Sequence, residues 1–189
     1  MSGHGFHVHG PHDHELEHAA HSNDDFASRI AVMTAIMATV GALIGYEGGA
    51  TQNAAAMYKN SAAIKKTEAA NQWSYYQSKS SKQNLAELAI NLPGVDVEKY
   101  KSEVERYKKE KEEIKKGAEV MEHEVLKLEE SSEASLHQHH RWAQSMTAVQ
   151  IAISLAAIAL LTKKKWLQYG SYAVATAGLG IAALAWLHI

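Results

Sequence analysis

The sequence predicts an all-α integral membrane protein: three transmembrane helices, with a long antiparallel helical hairpin of coiled-coil type between the first and second. Three observations predict it. Residues 30–46 and 142–162 carry no Asp, Glu, Lys, Arg or His, and residues 166–189 carry only His188. Most of the charge lies between the first two runs, with 15 Lys and Arg against 16 Asp and Glu over residues 47–141. Within that stretch, apolar residues recur at alternating steps of three and four, which is a heptad seam.

Length and composition exclude several classes. At 189 residues, the chain is long enough for one ordinary domain. A net charge of −2 and a pI near 6.6 give no electrostatic footprint for nucleic acid. With no cysteine there is no disulfide, thiolate metal site or cysteine nucleophile. A phosphate loop ending in Lys-Ser/Thr and G-x-S-x-G are both absent. The apolar runs hold no charge at mid-depth, which argues against a proton-coupled or charged-substrate transporter. The expectation is a non-enzymatic protein.

Taken in order, residues 1–23 form a histidine-rich tail. "GHGFHVHGPHDHELEHAAH" contains seven of the twelve histidines. His7 and His9, and His12 and His14, make two x-spaced pairs. If the segment after Pro11 is helical, His14, His18 and His21 share one face. Imidazole-rich sites suit Zn, Ni or Cu, and the alternative is a solvated polar tail. No other cofactor is implied.

Residues 24–49 are assigned to the first span, 142–162 to the second and 166–189 to the third. The apolar runs 30–46, 142–162 and 166–189 cover roughly 25 to 36 Å as helix, which brackets the bilayer core. Strings such as "QIAISLAAIALL" and "AVATAGLGIAALAWL" lack the polar stripe of a soluble core helix. Tyr46, Trp142, Trp166, Tyr169 and Trp186 sit at the run ends, where interfacial aromatic anchors belong. In "GALIGYEGG", Gly41, Gly45 and Gly49 repeat every four residues and offer a close-packing face. That face serves either an oligomer interface or pore, or packing against the third span, itself rich in small residues.

The hairpin occupies residues 50–141. Its returning arm carries the seam Val97, Tyr100, Val104, Tyr107, Lys111, Ile114, Ala118, Met121, Val125 and Leu128. Its outgoing arm shows a weaker stripe of Met57, Ile64, Leu85, Leu88 and Leu92. The turn falls at 91–96, where Pro93-Gly94 ends one helix and Asp96 is placed to cap the next. Gln72, Trp73, Tyr76, Gln77 and Lys79 form a polar–aromatic patch, either a partner surface or an inter-arm network. In "LHQHHRW", His137 and His140 are three apart on a helix and form a weaker metal or proton-sensing candidate.

Lys163, Lys164 and Lys165 join the last two spans. By the positive-inside rule this loop is cytoplasmic, and the N-terminal tail with it. The hairpin then lies on the opposite face of a bacterial inner membrane.

Several segments, "KKTEAANQWSYYQSKSSKQ", "YKKEKEEIKKGAE" and "LHQHHRWAQSMTAVQIAISLAAIALLTKKKWL", resemble a bacterial membrane-protein family called domain of unknown function 4337. The resemblance implies a three-span protein with a helical insert and no assigned activity. The functional expectation is an oligomeric scaffold or docking stalk. Metal binding, sensing or transport through the tail is the alternative, and a small homo-oligomeric channel a third. Expected partners are the lipid bilayer, further copies of the chain and an unidentified protein.

Overall fold

The computed structural model describes residues 25–187, and these are helical apart from two short connections. Helix α1 spans Asp25–Ala89, α2 spans Val97–Thr162 and α3 spans Lys165–Trp186. Helix α1 runs 65 residues because nothing in it stops a helix: it holds no proline, and its four glycines are single or paired among good helix formers. Pro93 and Gly94 end that regime, Gly94 taking a left-handed φ of 79°. Asp96 Oδ1 then accepts the Lys99 backbone N–H at 3.1 Å and caps α2. The second connection is tighter than three residues, since α3 already begins at Lys165. Lys163 takes φ 52°, the left-handed conformation that glycine favours after a helix end.

Helices α1 and α2 each contain a stretch long and apolar enough to cross a membrane. Only 33% of that stretch is buried in α1 and 28% in α2, whereas a soluble core helix would bury most of it. Helix α3 is uncharged beyond Lys165 but less apolar at its start, where Gln168, Tyr169, Ser171 and Tyr172 lie.

The chain forms two compact units. In the first, α1 up to Thr51, α2 from His137 and α3 pack together, with α2 touching both neighbours. Positions where Cβ atoms on Gly41, Gly45 and Gly48 would sit lie 3.3–3.4 Å from Val149, Met146 and Trp142 of α2. The glycine face of α1 therefore meets the second apolar helix. Gly178 of α3 meets α2 as well, against Ala148, Ser145 and Val149. Small residues fill the closest contacts, with Ala152, Ala156, Ala159, Ser145 and Ser171 fully covered, beside a core of Ile30, Met37, Ile44, Trp142, Val149 and Ile153. Large side chains such as Val32, Ile36, Leu43, Ile158, Leu161 and Leu184 point outward.

The second unit, Gln52–Leu136, is an antiparallel hairpin. Its register pairs Ala55 with Ser132, Lys65 with Glu124 and Lys79 with Glu110. All ten seam positions of the returning arm are buried or half-buried. The outgoing arm corrects the sequence reading. Met57, Ile64, Leu85, Leu88 and Leu92 are 56–66% exposed, and the covered line is Ala55, Ala62, Ala69, Tyr76, Gln83 and Ala86. Alanine brings two helix backbones close, so Leu-sized residues have no room on that side.

Candidate functional site

Side-chain chemistry gathers in one place within each unit. In the hairpin, Lys79 extends from α1 across the seam and pairs with Glu110 of α2 at 2.5 Å. Its ammonium also lies 5.1 Å from the Tyr75 ring centroid and 5.7 Å from that of Tyr107. Arg106 stacks on Tyr107 at 4.9 Å and approaches Glu110, while Lys111 lies 5.3 Å from the Tyr76 ring. Trp73 meets Tyr76 edge-on and donates its indole N–H to Glu122 Oε1 at 2.8 Å. Hydrogen bonding to Glu110, then to Tyr75, holds Lys79 above its ordinary pKa. The Lys79 hydrogen bond holds Glu110 below the usual carboxylate range, against partial desolvation.

The predicted patch therefore divides. Trp73, Tyr76 and Lys79 are half-buried members of an inter-arm network, Gln72 is half-buried beside them, and Gln77 is exposed. The sequence reading placed Lys111 on the seam but missed Tyr75, Arg106, Glu110 and Glu122, which only the hairpin register brings into the network. Further along, Lys65 sits between Glu68 at 2.9 Å and Glu124 at 3.3 Å, and both raise its pKa. Beside Trp73, a groove of about 380 Å³ is lined by Ala69, Ala70, Val125 and Leu126, with Lys66, Glu122 and Glu129 on its rim. The network sets register and charge pairing, and no nucleophile–base pair occurs in it.

In the other unit, polar groups tie the helices together. Ser145 donates to Gly178 O at 2.8 Å, Ser171 to Ala152 O at 2.7 Å and Gln138 to Ala185 O at 3.2 Å. His139 Nδ1 lies 2.7 Å from Gly48 O. A carbonyl only accepts, so His139 donates from Nδ1 in this bond. His140 is exposed, its ring 5.9 Å from that of His139, and His137 is exposed. Among the described residues, no three His, Asp or Glu stand together to hold a metal ion. His7, His9, His12, His14, His18 and His21 lie outside the described residues. Trp142 is 4% exposed and packs over Gly48, so it is not an outward-facing anchor, whereas Tyr46, Trp166, Tyr169 and Trp186 are exposed. Gly49 has nothing near it. A groove of about 640 Å³ between α1 and α3 is apolar apart from Ser28, Arg29, Tyr172 and Thr176.

Compared with known proteins, residues 26–188 match the family described as Domain of unknown function (DUF4337). No curated protein matches, and no solved structure does.

Proposed function

The chain belongs to the DUF4337 family, and on that premise we propose that it is an oligomeric integral membrane protein whose helical hairpin acts as a scaffold or docking stalk. The observation that carries the membrane part is the set of large apolar side chains that the first unit leaves on its outer surface. Val32, Ile36, Leu43, Ile158, Leu161 and Leu184 face outward around a core that already holds Ile30, Ile44 and Val149, and alanine, glycine and serine line the closest helix approaches. Water would drive the large side chains inward at roughly 1.5–3 kcal/mol each, whereas lipid is as apolar as Leu and leaves close backbone packing to hold helices together. Interhelical bonds from Ser145 and Ser171 fit the same environment. On this reading α3 is a third span beside α1 and α2.

Orientation follows from Lys163, Lys164 and Lys165. Lys163 occupies a left-handed position where glycine costs less, a sign that the cation itself is wanted there. With this loop and the N-terminus cytoplasmic, the hairpin lies across the bacterial inner membrane. The network around Lys79 supports a structural role, because its charges are spent on each other and fix the register of the arms. Alkaline carbonate extraction tests the anchor: the protein is expected to stay with the membrane, and its release to the supernatant would refute the reading. Protease treatment of intact cells against spheroplasts tests the side, with cleavage in the hairpin expected once the outer barrier is removed.

A further inference from the structure

Along the outgoing arm, the side of α1 that faces away from α2 carries no charge. All seven charges between Gln52 and Ala89 lie on or beside the seam: Lys59, Lys65, Lys66, Glu68, Lys79, Lys82 and Glu87. The sixteen outward positions from Asn53 to Leu88 are all exposed, and all are Ala, Asn, Ser, Thr, Gln, Met, Ile or Leu. The returning arm does the opposite. Twelve of its seventeen outward positions from Glu98 to Ala134 are Asp, Glu, Lys or Arg. A solvated helix face normally looks like the second of these. Two sides of one hairpin in the same solvent thus differ completely, and composition of the unit as a whole cannot explain it.

We infer that this uncharged face of α1 is the contact surface for the same face of a second copy of the chain. Its large apolar residues share one phase, with Met57, Ile64 and Leu85 at multiples of seven, Leu88 one turn on, and the small polar Asn71 and Ser78 at the same register between them. A helix of matching phase is its complement, and the second copy supplies one. With no charge on it, the face gives a charged partner nothing to pair with, and two such faces meet without burying an ion. Thirty-six residues of helix make a strip about 54 Å by 10 Å. Two strips bury about 1,000 Å² in total, the lower threshold for a specific interface. Copies inserted the same way into one bilayer present like residues at like heights, so the two faces run parallel and in register.

The inference rests on the oligomeric membrane reading above and names its surface. The chain has no cysteine, so single variants of the full-length protein report directly. In lipid nanodiscs under mild oxidation, Ser78→Cys and Ser81→Cys are expected to form the intermolecular disulfide at least tenfold faster than Glu112→Cys and Glu119→Cys on α2. These four positions are exposed and leave the seam intact. The pair Leu85→Glu with Leu88→Glu is expected to weaken assembly at least tenfold by native mass spectrometry, with unchanged helicity. An oligomer that persists in the Glu variant, with no preference for cross-linking at Ser78 and Ser81, overturns this face and leaves the oligomeric reading standing. A monomer in lipid overturns both.

Discussion

Gly48 and Gly49 are chain neighbours with opposite surroundings. A Cβ on Gly48 would stand 3.3 Å from the Trp142 Cβ, and one on Gly49 would meet nothing within 4 Å. Gly49→Ala is therefore expected to stabilise α1 by about 0.5–1 kcal/mol, the ordinary helix-propensity gain. Gly178→Ala should cost about 1–3 kcal/mol, because its new methyl would lie 3.0 Å from the Ala148 Cβ and 3.3 Å from a backbone oxygen. Detergent unfolding followed by circular dichroism separates the two, and equal effects would contradict the packing described. The sequence repeat every four residues from Gly41 points at Gly49. A helix turning against one neighbour instead keeps Gly41, Gly45 and Gly48 in contact, because the covered line drifts with the heptad.

The outgoing arm shows how a seam escapes a reading based on large apolar residues. Hydropathy draws attention to Met57, Ile64 and Leu85, but contact with α2 is made by Ala55, Ala62, Ala69 and Ala86. Alanine is chosen there for size rather than for apolar area, and its surface rank hides that role. Ala69→Leu is expected to destabilise the hairpin by about 1–3 kcal/mol in urea titration, while Val120→Ser, on an exposed site, should stay within about 0.5 kcal/mol. The Lys79–Glu110 pair gives the hairpin a pH window. Glu110 has a lowered pKa, so its contribution is present above the ordinary carboxylate value and fades as pH falls through the lowered one. Lys79 has a raised pKa, so its contribution is present below the ordinary lysine value and fades as pH rises through the raised one. The destabilisation caused by Glu110→Gln should accordingly be seen near neutrality and vanish in acid, once pH has fallen through the lowered Glu110 pKa, read from hairpin melting across pH. A constant difference at all pH values would show that the pair does not act as drawn.

For the protein as a whole, the proposed orientation in a membrane is the reading most exposed to test. Replacing Lys163, Lys164 and Lys165 by Gln is expected to give mixed insertion, seen as impermeant maleimide labelling of a hairpin cysteine dropping to a fraction of that in the unmodified loop. Much of the architecture was legible along the chain. Three uncharged runs, a charged stretch with heptad spacing, and Pro93-Gly94 before Asp96 are local patterns, and local patterns follow from propensity and periodicity. They yielded an all-helical chain with two long apolar helices and a hairpin between. Partners across helices were not legible, because they depend on rotation and register, which no single segment encodes. Which residue Trp73 would bond, that Trp142 would turn inward over Gly48, and which face of α1 would be left uncovered were all settled when α2 packed beside α1. An amphipathic pattern names a helix, and a long apolar run names one able to cross a membrane. The contacts that distinguish one face from another exist only after two helices meet.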